Sequence, residues 1–330
     1  MIRVFTSLDL SVKDIITLLE DKQPLELAFH SDADGVASAC IMGTVFSLRE
    51  DKDFPYSPAI FGGYKEGNVA VDLGSPLFKK WKGVCIDHHD HPNPWYPLVW
   101  SYVPTTLIVY YMFRDKIPKE KLFYVVLGCV GDGQPELIPD EVWDTLWDDL
   151  WESKGNIYTD RYSRNPKPYA YPLFSLISSP INALCRTGNI MDAYKLVRDA
   201  KNIRDIVYSP VANLEKDVIA QEESKIFSSR DPPVMEIIGN VVGIVKIKSK
   251  YGITSRIAST LSRSSPYLTI LVINTLDKSI SIRGILAKYI ANKLQAMGFH
   301  CGGHAGFAGG MLLDNQRPED LEEAVRKILR

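Results

Sequence analysis

Short apolar runs alternate with longer segments of helical pattern along the first half of the chain. Apolar runs of four to eight residues are typical of buried strands, and three of them are LELAF (25–29), NVAVD (68–72) and GVCID (83–87). Segments with the length and spacing of helices occupy residues 36–50, 105–114 and 119–133. Strands that alternate with helices predict a mostly parallel sheet that helices cover on both faces.

The second half begins with polar segments and continues with strand-like runs. Residues 189–229 have the pattern of one or two helices, and the DPP at 231–233 marks a break. Strand-like and helix-like segments then alternate up to a terminal helical segment at 318–329. We therefore predict an α/β fold with an N-terminal domain over residues 1–188, a helical linker over 189–230 and a smaller α/β domain over 231–330.

The composition is that of an ordinary globular protein. Hydrophobic residues make up 45% and charged residues 24%, and the formal net charge is −2, so contact with nucleic acid would need a local basic patch. The five cysteines are widely spaced without a C-x-x-C pair, which argues against a zinc knuckle or a disulfide framework. Because no signal segment or membrane-length apolar stretch is present, we expect a cytoplasmic protein without membrane contact.

Two further stretches are candidate contact surfaces. In residues 140–152 a wide apolar stripe includes Trp143, Trp147 and Trp151; packing against the domain is the expected explanation, and docking of a protein partner is the alternative. Residues 154–172 combine four basic residues with four tyrosines. Cations for phosphates and rings for bases are what a single-strand contact needs, and a tyrosine-rich structural loop is the alternative explanation.

The six histidines of the chain lie in or next to three short stretches. These stretches are HSDADG (30–35), CIDHHDHP (85–92) and CGGHAGFAGG (301–310). Histidines that serve only packing would not be expected to cluster in this way. In extended backbone, residues two apart point in the same direction, so the side chains of His30, Asp32 and Asp34 can converge, while Gly35 allows a sharp turn into the next helix.

Acidic residues stand where the apolar runs end. Asp72 and Asp87 each end a strand-like run, His88 follows the second one, and Asp132 lies among glycines after a helical segment. The carboxyl ends of parallel strands carry the functional residues in open α/β sheets. Hard divalent cations prefer carboxylate oxygens, and imidazole adds affinity for transition metals. Such a set of anions would repel itself without cations, so the sequence predicts a metal centre at this edge.

These stretches resemble the motifs of the DHH phosphoesterase family. HSDADG, the strand-ending Asp72, DHH at 87–89 and the G-D-G around Asp132 are similar to motifs one to four, in the family's order. CGGHAGFAGG resembles the GGGH motif of the DHH-associated domain that follows the catalytic domain in one branch. The resemblance implies a mostly parallel-sheet DHH domain, linker helices and a smaller α/β DHH-associated domain, with the active site in the cleft between the two domains.

The resemblance also implies ligands for two divalent cations, with Mn²⁺ preferred and Mg²⁺ as an alternative. One cation would be held by His30, Asp32 and Asp72, and the other by Asp34, Asp72, His88 and Asp132, with Asp72 bridging the two. A hydroxide shared by the cations would then attack the phosphorus.

Four other side chains receive roles outside the ligand set. His89 is similar to the family's histidine that faces the scissile phosphate, and Asp87 would orient a histidine from behind the ligands. His91 matches no family role and is expected to be structural or to lie behind the ligands. His300 is expected to be structural.

Residues of the smaller domain resemble phosphate-binding positions of the family. His304 and Gly303 belong to the GGGH-like motif, where backbone amides can approach a phosphate closely. Arg283 in SISIRG is similar to the arginine of the family's V-S-x-R-S strand. Cys301 replaces the first glycine of the GGGH motif.

SSPINALCRTGN (178–189) resembles the P-x-x-N-A-x-G-R segment of RecJ-type exonucleases. By this resemblance Asn182 and Arg186 would contact a nucleic-acid phosphate near the metals, and Cys185 stands where a glycine is usual. The chain is most similar to stand-alone archaeal members of the RecJ-like branch.

The expected function is therefore metal-dependent exonuclease activity that hydrolyses single-stranded DNA or RNA to mononucleotides. The alternative within the family is an oligoribonuclease for short oligomers, or a phosphatase of 3′-phosphoadenosine phosphate. A replisome scaffold without catalysis is a third hypothesis, which the complete set of ligand positions disfavours. A catalytic protein could still dock onto a replication or DNA-repair complex. The residue pattern leaves open the direction of digestion, the sugar preference and the oligomeric state.

Overall fold

The computed structural model describes residues 3–5, 10–21, 25–48, 69–74, 83–89, 91, 94, 96–150, 176–229, 232–304 and 306–330. Packing divides the chain into two compact units, one of residues 1–185 with 189–216, the other of residues 186–188 with 217–330. The first unit therefore extends into the predicted linker, and the predicted boundaries after residues 188 and 230 stay a prediction.

The first unit is built on a largely parallel sheet. Its described strands are β1 (Arg3–Phe5), β2 (Leu27–Phe29), β3 (Val69–Val71), β4 (Val84–Asp87) and β5 (Leu98–Trp100). They lie in the order β1-β5-β4-β3-β2, with β2 to β5 parallel and β1 antiparallel to β5. Every residue of β2 to β5 is buried, as expected for a parallel sheet with both faces covered.

Helices complete the core of the first unit. They are α1 (Val12–Asp21), α2 (Ala33–Phe46), α3 (Thr105–Phe113), α4 (Phe123–Gly131), α5 (Asp140–Leu150), α6 (Ser178–Arg186), α7 (Ile190–Asp199), α8 (Ile203–Val207) and α9 (Pro210–Ser228), the last of which continues into the second unit. Short 3₁₀ turns lie at Arg114–Lys116, Lys119–Lys121 and Pro135–Leu137. The first eleven residues of α2 are all buried, because α3, α4 and α7 pack around this helix.

The three predicted strand runs correspond to β2, β3 and β4, whereas β1 and β5 were not predicted. Both missed strands have three residues, as do β2 and β3, but Arg3 interrupts the apolar run at β1 and Pro97 interrupts the run at β5. The predicted packing of the tryptophan stripe is confirmed for Trp143, which is buried beside Val142 and Leu146. The side chain of Trp147, residue 151 and the basic segment 154–172 lie outside the described residues.

The second unit is a mixed sheet with helices. Its strands are β6 (Met235–Ile238), β7 (Val242–Ile247), β8 (Thr269–Asn274), β9 (Ser279–Arg283), β10 (His300–His304) and β11 (Phe307–Met311), and its helices after α9 are α10 (Thr254–Ser264), α11 (Ala287–Ala296) and α12 (Pro318–Ile328). The strand order is β10-β11-β9-β8-β7-β6, in which the β7–β8 pair is parallel and the others are antiparallel. Alternate residues of β8 and β9, such as Leu271 and Ile282, enter a core that α11 and α12 share.

The two α/β units agree with the predicted fold class. Among the described helices of both units, none has the length and apolar character needed to cross a membrane.

Candidate metal centre

Polar side chains of the first unit meet at the edge where three parallel strands end. His30 follows β2, Asp72 follows β3, and Asp87 and His88 lie at the end of β4. Asp132 reaches the same place from the C-terminal end of α4. All six predicted metal ligands belong to two groups whose ligand atoms lie within 4.8 Å of one another: His30, Asp32 and Asp72 in one, and Asp34, His88 and Asp132 in the other.

The first group is assembled by the turn between β2 and α2. Nδ1 of His30 lies 2.8 Å from Oδ2 of Asp32 and 3.6 Å from Oδ2 of Asp72. The other oxygen of Asp32 accepts a hydrogen bond of 2.9 Å from the backbone N–H of Gly35 and so caps α2. A Cβ at Gly35 would lie 2.2 Å from the carbonyl oxygen of His30, so only glycine fits this turn.

The second group surrounds the buried ring of His88. Its Nε2 lies 3.2 Å from Oδ1 of Asp72, 3.3 Å from Oδ2 of Asp132 and 3.9 Å from Oδ2 of Asp34. Asp72 thus lies between the groups, because its Oδ2 faces His30 while its Oδ1 faces His88. This is the arrangement that a carboxylate bridging two cations requires.

Asp72 also has an unusual backbone. Its φ is +62°, in the left-handed region that few residues other than glycine, asparagine and aspartate adopt. Buried residues in this region cluster at functional sites, where the surrounding structure imposes the conformation. Here the neighbouring strand contributes, because the backbone N–H of Asp72 donates a 3.0 Å hydrogen bond to the carbonyl of Ile86 in β4.

Asp34 is fully buried and is held by the start of α3. The backbone N–H of Thr105 donates to its Oδ2 at 2.8 Å, and that of Thr106 donates to its Oδ1 at 3.0 Å. The hydroxyl of Thr106 donates to the same Oδ1, and the hydroxyl of Thr105 donates to Oδ1 of Asp72 at 3.0 Å. An anion at a helix N-terminus is favoured by the unpaired N–H groups there, so α3 fixes the carboxylate with these hydrogen bonds.

Asp87 is fully buried behind the two groups and holds His89. Its Oδ1 accepts from Nδ1 of His89 at 2.7 Å and from the backbone N–H groups of His88 and His89 at 2.7 and 2.9 Å. Its Oδ2 accepts from the backbone N–H of Gly74 and lies 3.1 Å from Nε2 of His91. The carbonyl of His89 accepts a 2.8 Å hydrogen bond from the indole of Trp100, so both the ring and the backbone of His89 are fixed.

In this buried and crowded group of charges, the pKa values of Asp34, Asp132 and His88 are all raised. Burial and the neighbouring Asp72 raise the pKa of Asp34 to about 7, and burial with Asp34 and Asp72 holds the pKa of Asp132 well above its usual value. Burial alone would lower the pKa of His88, but hydrogen bonding and the charge of Asp72 raise it to about 9. Without a cation, the centre therefore retains protons at neutral pH, and its carboxylate and imidazole donors suit divalent metals.

In the second unit a half-buried arginine lies against a glycine-rich hairpin. The guanidinium of Arg283 donates to the carbonyls of Ile282 and Ala308 at 2.9 and 3.0 Å and lies 5.2 Å from the ring centre of Phe307. Burial and the charge of Arg186 lower the pKa of Arg283 to about 10. Among the described residues no carboxylate forms an ion pair with Arg283, so this guanidinium favours an anion.

The hairpin of β10 and β11 accepts only glycine at Gly303. Its φ is +151°, and a Cβ there would lie 2.3 Å from the carbonyl oxygen of Phe307. Cys301 at the first position of the motif is buried in the core of the second unit. Because neighbouring residues along a strand point to opposite faces, the side chain of Cys301 can enter the core on the face opposite to Gly302. The side chain of His304 lies outside the described residues.

Asn182 lies beside the metal centre in an orientation that the sequence did not predict. Its Oδ1 accepts a 3.0 Å hydrogen bond from the backbone N–H of Ala33, the first residue of α2. The amide oxygen therefore supports the helix that carries Asp34. Arg186, at the other end of the same segment, belongs to the second unit, and the predicted phosphate contact of both residues stays a prediction.

No protein-family model and no curated protein matches the sequence, but solved structures match the fold. RecJ from Thermus thermophilus in complex with Mn²⁺ is similar with a TM-score of 0.62 and 14% sequence identity, over 98% of this chain and 55% of that chain. The DHH domain of a member of a family of ribosomal proteins is similar with a TM-score of 0.60 and 14% sequence identity, over 97% of this chain and 89% of that chain. An exonuclease RecJ bound to manganese is similar with a TM-score of 0.55 and 15% sequence identity, over 98% of this chain and 95% of that chain.

The chain has the DHH fold of RecJ. It spans 55% of the length of the Thermus RecJ, and the identities of 14 to 15% establish the fold alone. Within the DHH fold, the groups around Asp72 occupy the strand ends that the sequence motifs predicted. Thr105 and Thr106 were missed, although a Thr-Thr pair after Pro104 at the start of an apolar helical segment is a recognisable helix N-terminus.

Proposed function

We propose that this chain is a DHH-family phosphodiesterase that requires two divalent cations and hydrolyses single-stranded nucleic acid as an exonuclease. The observation that supports it most is the position of Asp72, whose two oxygens face two separate groups of imidazole and carboxylate donors. A carboxylate shared by two cations would hold them close enough together to act on one phosphate ester.

The donor set fits two cations. His30, Asp32 and Asp72 would hold one, and Asp34, Asp72, His88 and Asp132 would hold the other. Carboxylates with imidazoles favour Mn²⁺, with Mg²⁺ as an alternative. When bound, the cations would supply Lewis acidity to the phosphoryl group and to the attacking water. The raised pKa values of Asp34 and His88 imply that protons leave these groups when cations bind.

The residues of the chain itself would orient the substrate phosphate. The Nδ1 of His89 is bound to Asp87, which makes Nε2 the ring nitrogen assigned to a phosphate oxygen. In the second unit, Arg283 and Arg186 would bind an anion, and the amides around Gly303 would approach a phosphate closely. His304 is assigned to the same task from its motif, and Asn182 would contribute its amide nitrogen.

The nucleic-acid substrate is proposed from two sources. The segment at 178–189 resembles that of RecJ-type exonucleases, and one solved structure with this fold is an exonuclease RecJ bound to manganese. Single-stranded DNA, RNA or both are the proposed substrates, and the resemblance to archaeal members and a role in a DNA-repair complex stay predictions.

The deciding experiment compares substrate lengths. Dinucleotides and single strands of roughly 20 nucleotides, labelled at the 5′ or 3′ end as DNA and as RNA, are incubated with the protein and Mn²⁺. We expect long strands to be shortened one nucleotide at a time. Cleavage of dinucleotides or of 3′-phosphoadenosine phosphate with long strands left intact would replace the exonuclease by the alternative enzymes of the family.

The metal centre is tested separately by Mn²⁺ binding. Asp34→Ala and Asp132→Ala each remove one carboxylate of the second group, so Mn²⁺ titrated calorimetrically should bind with a lower stoichiometry or affinity than in the unchanged protein. Asp115→Ala is the matched control, because Asp115 is 96% exposed on a 3₁₀ turn. Unchanged Mn²⁺ binding in both ligand variants would refute the assignment of the site and revive the scaffold hypothesis.

A further inference from the structure

His91 is the histidine of the first unit that has no role in the proposed centre. Its side chain is only 1% exposed, and it lies beside the equally buried Asp87. Its Nδ1 lies 2.6 Å from the hydroxyl of Tyr96, whose side chain is buried in a small core with Leu98 and Trp100. Since His91 is enclosed by protein on this side, it can affect a reaction only through the groups that it contacts.

The contacts of His91 form a chain of side chains that leads to His89. From the interior outward, the chain consists of the Tyr96 hydroxyl, the His91 ring, the Asp87 carboxylate and the His89 ring. The joining distances are 2.6 Å, 3.1 Å and 2.7 Å. The two histidines contact different oxygens of the carboxylate, His89 on Oδ1 and His91 on Oδ2.

This geometry controls the plane of the Asp87 carboxylate. A carboxylate held only through Oδ1 can rotate about its Cβ–Cγ bond, since this terminal torsion has a broad minimum. Contacts on Oδ2 from the backbone of Gly74 and from Nε2 of His91 oppose that rotation. The ring of His89 follows the carboxylate, because its Nδ1 bonds to Oδ1.

We propose that His91 is a positioning residue for the phosphodiesterase reaction, which fixes the Asp87 carboxylate and through it the orientation and tautomer of His89. The inference rests on the proposed function for its effect on rate, but its structural part does not. An ionised Asp87 can only accept, so His89 must carry its proton on Nδ1. Nε2 is then the nitrogen presented to substrate, and it stays so only while the carboxylate is held in place.

The kinetic test uses a double-mutant cycle on the full chain with Mn²⁺. His91→Leu should lower kcat on a single-stranded oligonucleotide on the order of tenfold, with KM and Mn²⁺ affinity changed less than about twofold. In the His89→Ala background the same substitution should change kcat by less than about twofold, because the group that it positions is absent. An equal loss in both backgrounds would show that His91 has only a structural role.

Conservative replacement distinguishes positioning from packing. His91→Gln keeps an N–H donor that can reach Asp87, and it should restore most of the kcat that His91→Leu loses. Tyr96→Phe removes the hydroxyl that holds Nδ1 of His91 and should give an intermediate loss. Tyr110→Phe is the matched control, because it removes the hydroxyl that donates to Glu141 at 3.1 Å, outside the series of contacts that links Tyr96 to His89. Equal rates for Gln and Leu at position 91 would overturn the proposal.

A spectroscopic readout keeps the test independent of activity. In ¹⁵N spectra of histidine-labelled protein, His89 should show the Nδ1–H tautomer, and His91→Leu should convert this signal to a mixture of tautomers. Tyr96→Phe provides the same comparison should the Leu variant not fold, whereas His91→Gln should keep the Nδ1–H tautomer. An unchanged His89 tautomer in both His91→Leu and Tyr96→Phe would refute the inference, whereas loss of activity on all nucleic acids in the unchanged protein would refute only the proposed function.

Discussion

Asp72 combines three properties that are rarely found in one residue. It is 1% exposed, its φ is +62°, and its oxygens face both ligand groups. Burial alone would raise its pKa, but the neighbouring imidazoles of His30 and His88 hold the pKa far below its usual value. The carboxylate therefore stays ionised while its neighbours Asp34 and Asp132 retain protons, which makes it the charge around which the centre is organised.

Asp72→Asn should weaken the binding of both cations. Asparagine has the same shape and tolerates a positive φ, so the backbone should be kept while the bridging charge is lost. We expect calorimetric Mn²⁺ binding at both positions to weaken by more than about tenfold and hydrolysis to fall with it. Asp32→Asn should affect mainly the first cation, and retention of two tight Mn²⁺ sites in Asp72→Asn would contradict the bridging role.

At the scale of elements, α2 begins at the candidate metal centre, and Asp32 contributes both to the helix and to this centre. Its Oδ1 caps the helix at Gly35, and its Oδ2 faces His30. Two substitutions separate the capping role of Asp32 from its role as a metal ligand, because asparagine is as good a cap as aspartate and alanine is a poor one. In EDTA, Asp32→Ala should lower the free energy of unfolding by about 1 kcal/mol, whereas Asp32→Asn should leave it nearly unchanged.

Both Asp32 variants should lose Mn²⁺ affinity, since neither supplies a charged ligand. Urea unfolding in EDTA measures the cap, and calorimetry in Mn²⁺ measures the ligand. If Asp32→Asn destabilised the apo protein as much as Asp32→Ala does, the capping role would be wrong.

The packing of α4 against α2 and α3 determines the position of Asp34. A Cβ at Gly128 in α4 would lie 2.1 Å from Oγ1 of Thr106 and 2.7 Å from Oδ1 of Asp34. Gly128→Ala should therefore cost about 1–3 kcal/mol of stability and weaken Mn²⁺ binding, because Thr106 would be pushed from its bond to Asp34. Denaturant unfolding and Mn²⁺ titration measure the two effects.

Gly252→Ala is the control for Gly128→Ala. A Cβ at Gly252 would make its nearest contact at 3.6 Å, with the backbone of Arg186, an ordinary contact distance, so stability should change by less than about 0.5 kcal/mol. A tolerated alanine at position 128 would show that the three helices adapt more easily than the structure indicates.

At the scale of the whole molecule, the apo protein should lose thermal stability as pH rises. Asp34 has a folded pKa of about 7 against a usual 3.8, and His88 has about 9 against 6.5. A folded pKa above the unfolded value gives stability that is complete below the unfolded pKa and is lost as pH rises through the folded pKa. His30 and Asp132 are shifted in the same direction, so Tm in EDTA should fall between about pH 6 and pH 9.

Mn²⁺ should reverse this trend. Ligands must release protons to bind a cation, so the rise in Tm on adding Mn²⁺ should grow as pH increases. The lowered pKa values of Asp72 and Asp87 add no opposing slope, because such groups change protonation only in acid. Differential scanning measurements at matched pH, with Mn²⁺ or with EDTA, check both signs, and a Tm in EDTA that rose over this range would contradict the charge arrangement.

Much of the fold and of the centre could be predicted from local signals. β2, β3 and β4 were predicted because each is a buried apolar run, and a parallel sheet collects the residues that follow such strands at one edge. The candidate ligands could be recognised because His30, Asp32 and Asp34 occupy every second position in the sequence. β5 was not predicted, since Pro97 divides the apolar run around it and a proline argues against a central strand.

The sequence by itself determined the residue types, the strand ends and the family resemblance, because these depend on spacing of a few residues. Tertiary structure decided which groups from distant positions in the sequence hold the predicted ligands and their helices in place. Thr105 and Thr106 hold Asp34 from more than 70 positions away, and Asn182 holds the start of α2 from 149 positions away. Long-range hydrogen bonds satisfy buried polar groups wherever packing brings a partner, and no local pattern encodes that choice.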